Sequence, residues 1–218
     1  MLQDLKAISD GKIYGSNDMV RAACNDCEGC HACCEKMGTS IVLDPLDIWR
    51  INAATGRQFE ELLEDTIELN LVEGLILPNL QMRGALEQCA FLDEKGRCSI
   101  HAMRPGLCRV FPLGRIYGES QIRYFLQSGA CRKPGRSKVK VSRWLDAPEQ
   151  KQNEQFLLAW HEFRRRVHER LQETDEGAAK TIHLFLLKQF FMKSYETVGE
   201  FYPQFAERME EAVQVLRL

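Results

Sequence analysis

An α+β fold is predicted for this chain by three observations. Its nine cysteines all lie between residues 24 and 131, in a stretch rich in turns. Short β-prone runs there alternate with Gly and Pro. After residue 136 the apolar residues adopt helical spacing. The expected division is an N-terminal arm over 1–23, a cysteine-cluster region over 24–135 and a helical C-terminal region over 136–218, packed on the loop-rich half.

Within 1–23, Gly11 and Gly15 interrupt a short apolar–polar stretch, so an arm or short helix is expected. The next eleven residues, Cys24-Asn-Asp-Cys27-Glu-Gly-Cys30-His-Ala-Cys33-Cys34, hold five thiols. Thr39–Leu43 is a brief β-prone run. Asp44-Pro45 then signals a helix start, with Asp44 as cap, Pro45 at the first position and Asp47 in the first turn. The helix covers Leu46–Ala54 and stops near Thr55-Gly56. A second helix is expected over Arg57–Val72, from the spacing of Phe59, Leu62, Leu63, Ile67 and Leu71. Gly74–Pro78 ends it and opens an extended stretch.

Cys89–Ile100 reads as a β-hairpin turning at Asp93-Glu-Lys-Gly96, which would bring Cys89 and Cys98 together. Arg104–Pro112 holds two prolines and a glycine and is expected to be a rigid loop. Ile116–Leu126 reads as a strand or hairpin leading to Cys131. The basic run Arg132–Lys140 is expected to be a solvated linker, since no aromatic pattern accompanies it. Beyond it, Phe156, Trp160, Phe163, Val167 and Leu171 define an amphipathic helix. Ala179–Tyr195 is a more apolar helix, with Trp160 and Phe190-Phe191 as core. Phe205, Met209, Val213 and Leu216 mark a last helix, entered near Pro203.

Composition narrows the functional classes. The 218 residues are 44% hydrophobic and 28% charged, enough apolar side chain for a sizeable core. A net charge of −2 gives no footprint for nucleic acid or a polybasic membrane contact. No apolar run reaches the ~18–20 residues of a membrane span. The N-terminus has no basic region leading into an apolar one, so no secretory leader is expected. A cytoplasmic location follows as the expectation, and in a reducing compartment dense cysteines point to metal rather than disulfides.

Thiolate sulfur binds zinc, copper(I) and iron–sulfur clusters tightly, and each Cys-x-x-Cys step presents two sulfurs to one centre. Adjacent side chains diverge, so Cys33 and Cys34 are expected to serve different centres, or one of them bridges. Zinc and cubane clusters each take four thiolates, so nine cysteines suit two sites or one site with a reactive thiol. Cys24, Cys27, Cys30 and Cys34 satisfy the C-x2-C-x2-C-x3-C spacing of ferredoxin clusters. Glu35, however, stands where that motif has Pro, and Cys33 intrudes, so iron–sulfur and zinc both remain open. His31 and His101 could replace a thiolate but are read as ordinary hydrogen-bonded histidines. Arg104, Arg109 and Arg115 either offset thiolate charge or pair with carboxylates. His161 and His168 share a helix face, and two histidines alone make a thin metal site. P-loop, dinucleotide, H-E-x-x-H and G-x-S-x-G motifs are all missing, so no catalytic residue is assigned and the enzyme question stays open.

Cys27-x-x-Cys30-x-x-Cys33-Cys34, Cys89-Ala-Phe-Leu, Gly96-Arg-Cys98-Ser-Ile, Arg104-Pro-Gly-Leu-Cys108-Arg-Val-Phe-Pro112 and Cys131 together resemble the YkgJ-type cysteine-cluster family. That group is described as zinc- or iron-chelating, with a CxxCxxCC motif. Ile41–Ile51 is also similar to the family's stretch after the vicinal pair. The resemblance covers roughly residues 24–135 and implies eight metal ligands: Cys27, Cys30, Cys33, Cys34, Cys89, Cys98, Cys108 and Cys131. Cys24 is a further candidate outside that pattern, and His101 stands where the family commonly has tyrosine.

The leading expectation is a metalloprotein holding one or more iron–sulfur clusters, with a redox, electron-transfer or modification-enzyme role. The alternative is a non-enzymatic zinc module whose C-terminal helices bind a protein partner. A second alternative is an S-adenosylmethionine-dependent methyltransferase-like enzyme, since a flagellin lysine methylase carries a similar cysteine domain. No fingerprint for that cofactor is found in this chain.

Overall fold

The computed structural model describes residues 5, 7–23, 30–196 and 199–218. It is an α+β protein in which short antiparallel strand pairs and tight turns occupy the first two thirds and longer helices the rest. Cys24 and Cys27 lie outside the described residues.

Helix α1 (Pro45–Thr55) begins as the sequence indicates. Asp44 Oδ1 accepts from the Asp47 amide at 2.9 Å, and Asp47 Oδ2 accepts in return from the Asp44 amide at 3.2 Å. Gly56 closes the helix at φ 71°. The second helix, α2, is much shorter than expected, spanning only Phe59–Leu63. Ile67–Val72 is instead strand β2, paired in antiparallel register with β3 (Leu75–Leu80). Two features overrule the helical spacing there. Ile67, Leu69 and Leu71 also alternate with period two, and Glu73-Gly74, both at positive φ, form the two-residue connection of a right-twisted hairpin. The segment before α1 joins the same pair, through Leu43 N to Pro78 O (2.8 Å) and Leu80 N to Ile41 O (3.0 Å).

Two further corrections concern the first half. Met19–Ala23 is a strand, β1, rather than a loose arm or helix. It pairs with β8 (Ser137–Lys140), within the run expected to be a solvated linker. Alternation explains it: Val20 and Ala22 are buried and their neighbours exposed, a half-buried edge that two partners far apart in sequence complete. The Cys89–Ile100 segment turns at Asp93–Gly96 as expected but forms only a minimal hairpin, with Asp93 N donating to Arg97 O and Ser99 N to Phe91 O. Cys89 belongs to a two-residue strand, β5 (Gln88–Cys89), paired with β4 (Met82–Arg83). A single bridge, Leu92 to Cys98, closes the loop, with Asp93 Oδ1 accepting from the amides of Lys95 and Arg97. The Asp93 side chain thus organises the turn that joins the two short arms.

Arg104–Pro112 contains one short helix, α3 (Gly106–Val110), and ends in a cis Phe111–Pro112 bond. A hairpin follows, β6 (Leu113–Tyr117) with β7 (Ile122–Leu126). A one-turn helix, α4 (Val141–Leu145), leads to α5 (Gln150–Gln172), which buries Phe156, Trp160, Phe163 and Val167 as its spacing predicts. Helix α6 (Glu176–Leu187), capped by Asp175, runs on as a π turn over Lys188–Met192. Helix α7 (Phe201–Leu216) contains Pro203 in its first turn.

Aromatic rings join these helices. Trp160 meets Phe190 at 5.0 Å between centroids and Phe156 meets Phe205 at 4.7 Å, both edge-on. Phe59 of α2 stacks on Phe191, and the Trp49 indole of α1 donates to Glu196 O. Buried apolar residues from both halves form one continuous cluster.

Candidate metal centre

Six of the predicted cysteines, Cys30, Cys33, Cys34, Cys89, Cys98 and Cys108, line one cavity of about 520 Å³. Cys131 borders a small adjoining cavity that shares Cys30, Cys33, Phe111 and Trp144 with the first. All seven are free thiols.

Each thiol is placed by a local device. Cys33 and Cys34 sit in a 3-10 turn closed by Cys34 N to His31 O (2.8 Å). Glu35 then pairs with Gln88, backbone to backbone and by a 2.9 Å bond from Gln88 Nε2 to Glu35 Oε1. That contact sets the vicinal pair beside Cys89 on β5. Cys98 is carried by the Asp93-organised loop, in which Gly96 adopts φ 70°. A Cβ at Gly96 would stand 2.8 Å from His31 Nδ1, so glycine there lets the loop close against the His31 ring. Cys108 is carried by α3, whose first amide, on Gly106, donates to Asp47 Oδ1 at 2.7 Å.

The electrostatics of these thiols follow from burial and from one another. Cys34 donates to Cys33, which pulls the Cys33 thiol down to about 7 and pushes that of Cys34 up; burial acts upward on both. Burial also raises Cys89 and Cys98, and raises Cys108 well above its ordinary value. Arg104 favours the charged forms of Cys33 and Cys98. Buried thiols that raise one another in this way are what a thiophilic cation would relieve, because coordination deprotonates them.

By donor chemistry, then, the residues fit a zinc or iron centre: the wall is sulfur and apolar side chain, with cations at its edge. Among the described residues, however, no three Cys, His, Asp or Glu side chains converge closely enough to hold a single ion.

His31 and His101 both line the cavity. His31 Nε2 lies 3.5 Å from Glu35 Oε1, and His101 Nδ1 lies 3.2 Å from Arg104 Nη1. The three arginines divide. Arg104 faces the thiols. Arg109, 6% exposed, lines the cavity while donating to Ala102 O and Asp146 O. Arg115 points instead to the Asp44 and Asp47 side, donating to Gly106 O. His161 stacks on Tyr117 at 4.1 Å, and the His168 ring sits against Gly74. Sequence reasoning missed Arg97, Arg143, Trp144 and Asp146 in the cavity wall. Arg143 and Trp144 follow directly on the basic run, and no periodicity or spacing singles them out.

No helix among the described residues is long and apolar enough to cross a membrane. No curated protein and no solved structure matches the chain. A family model does match residues 26–132, under the description "CxxCxxCC: Putative zinc- or iron-chelating domain", which supports a metal-binding role. It spans the vicinal pair, β5, the Cys98 loop, α3 and Cys131, so that residues 26–132 match the CxxCxxCC domain family.

Proposed function

We propose that the cysteines of the cavity hold an iron–sulfur cluster or clusters and that the protein serves a redox, electron-transfer or modification role. The proposed ligands are Cys27, Cys30, Cys33, Cys34, Cys89, Cys98, Cys108 and Cys131, with Cys24 as a ninth candidate. One observation carries the reading: six thiols from four separate segments line one large cavity. Four sulfurs around a single zinc stand about 3.8 Å apart, as bonds of about 2.3 Å in a tetrahedron require. A cavity lined by thiols from several segments has room for a centre with several metal atoms.

The chain's own contribution is to collect, shield and balance the thiolates. Phe91, Ile100, Leu107 and Phe111 keep water from the sulfurs, and Arg104 offsets their charge. A cluster bound there would supply one-electron chemistry. The second reading, a zinc module, is favoured by the family description, which names zinc beside iron. In that case the metal would cross-link segments whose own hydrogen bonding is sparse.

Purification without air, followed by visible absorption and by iron, sulfide and zinc analysis, separates the two. A brown protein with iron and sulfide in equal amounts is expected. A colourless protein carrying zinc and no iron would overturn the cluster reading and leave the zinc module.

A further inference from the structure

The cavity is not lined by cysteines alone. Its wall contains Arg104, Arg109 and Arg143, the indole of Trp144 and the carboxylate of Asp146. Arg143 and Trp144 belong to α4, beyond the segment that matches the family model. Arg143 is exposed and has no hydrogen-bond or ion-pair partner among the described residues. Arg109 is almost fully buried, yet its Nε has no partner. Its Nη1 lies 3.6 Å from Asp146 Oδ2, and that carboxylate is itself mostly in solvent. The Trp144 ring is held in place, because its Nε1–H donates to Val110 O and Phe111 O. The unpaired guanidinium of Arg143, the buried positive charge of Arg109 and a fixed aromatic face make an arrangement that recognises oxyanions. The cavity, about 520 Å³ in all, is shared between the metal centre and this subsite.

We propose that Arg143, Arg109 and Trp144 form a binding subsite for a small organic oxyanion, a carboxylate or phosphate ester, seated beside the thiol-bound metal. The proposal deepens the metal-centre reading by naming the class of molecule brought to it. Arg143 and Arg109 take the anionic end, and the indole covers the adjoining apolar part. The segment after the cysteine region would thereby choose the ligand, while the cysteine region supplies the centre.

The test is equilibrium dialysis of the full chain, in its metal-containing form, against phenyl phosphate and against inorganic phosphate, with metal content measured on the same samples. Saturable binding is expected, tighter for phenyl phosphate. Arg143→Gln should weaken it by roughly tenfold or more, as loss of a charged hydrogen bond implies, with Arg143→Lys in between. Trp144→Leu should erase the preference for the phenyl ester. Metal content and circular dichroism should be unchanged in Arg143→Gln, whose side chain is exposed. Three results would overturn the proposal: no saturable binding to metal-containing protein, binding unaffected by Arg143→Gln, or a fall in metal content with phosphate binding intact. The last would mean that the arginine serves only to balance thiolate charge. A protein that binds the phosphates but holds no metal would sink the metal reading and leave the subsite standing.

Discussion

Asp47 performs two tasks at the residue scale. It completes the cap of α1 through its own amide and Oδ2, and its Oδ1 anchors the first turn of α3, which carries Cys108. Burial first, then the neighbouring Asp44, raises its carboxyl to about 7, against the pull of Arg50. The folded form therefore holds a proton that the unfolded chain, at the ordinary carboxylate value of 3.8, gives up earlier. Stability from this group is greatest at low pH and falls as pH rises from about 4 to about 7. Urea unfolding of the wild type and Asp47→Asn at several pH values should show it. The wild type's advantage should be larger near pH 4.5 than near pH 7.5, and a difference that does not change with pH would contradict the assignment. Near neutrality the variant should also be less stable by about 1–2 kcal/mol, since its one remaining oxygen cannot serve both amides.

Among elements, the β2–β3 hairpin shows how a connection decides between two readings of one pattern. Gly74 sits at φ 81°, and a Cβ there would fall 2.5 Å from His168 Nδ1. Gly74→Ala should therefore cost about 1–3 kcal/mol, from left-handed strain and from displacing a ring of α5. Thermal melting would measure it, and an unchanged melting temperature would mean that the turn and α5 are not in contact as described. The helix expected over Arg57–Val72 failed at this place. Helical and alternating periods coincide over Ile67–Leu71, and pairing with Leu75–Leu80 tips the balance. Leu71, chosen as a buried position, is 71% exposed. The Cys98 loop was legible in its turn residues, but its two arms pair only over Phe91–Asp93 and Arg97–Ser99, and Asp93 satisfies the amides of Lys95 and Arg97.

At the scale of the molecule, one apolar cluster runs from the strand pairs to the C-terminal helices, but its density of support is uneven. Helices α5 to α7 interlock through Trp160, Phe190, Phe205 and their neighbours. Residues 82–108 have a two-residue strand pair, one 3-10 turn, the Asp93-organised loop and the start of a five-residue helix. Metal should thus contribute most to the order of the cysteine-bearing segments. Hydrogen exchange before and after chelation should show lost protection around Cys89–Cys108, with α5 and α7 still protected and the melting temperature lowered. Equal protection in both states would argue that the thiols hold nothing structural.

Much of this protein was legible in order along the chain. The thiol spacing, the Asp44-Pro45 start of α1 and the apolar stripes of α5 and α7 are local patterns, set by backbone geometry within a few residues. The α+β class and the cysteine-family resemblance came from such patterns alone. What local patterns cannot carry is which distant segments meet. The pairing of β1 with β8 joins residues more than a hundred positions apart, and neither strand's sequence names the other. Burial of apolar surface and satisfaction of backbone amides decide such meetings, and those are properties of the whole packed chain. The same packing draws six sulfurs from separate segments to one cavity, and brings Arg143 and Trp144 into its wall.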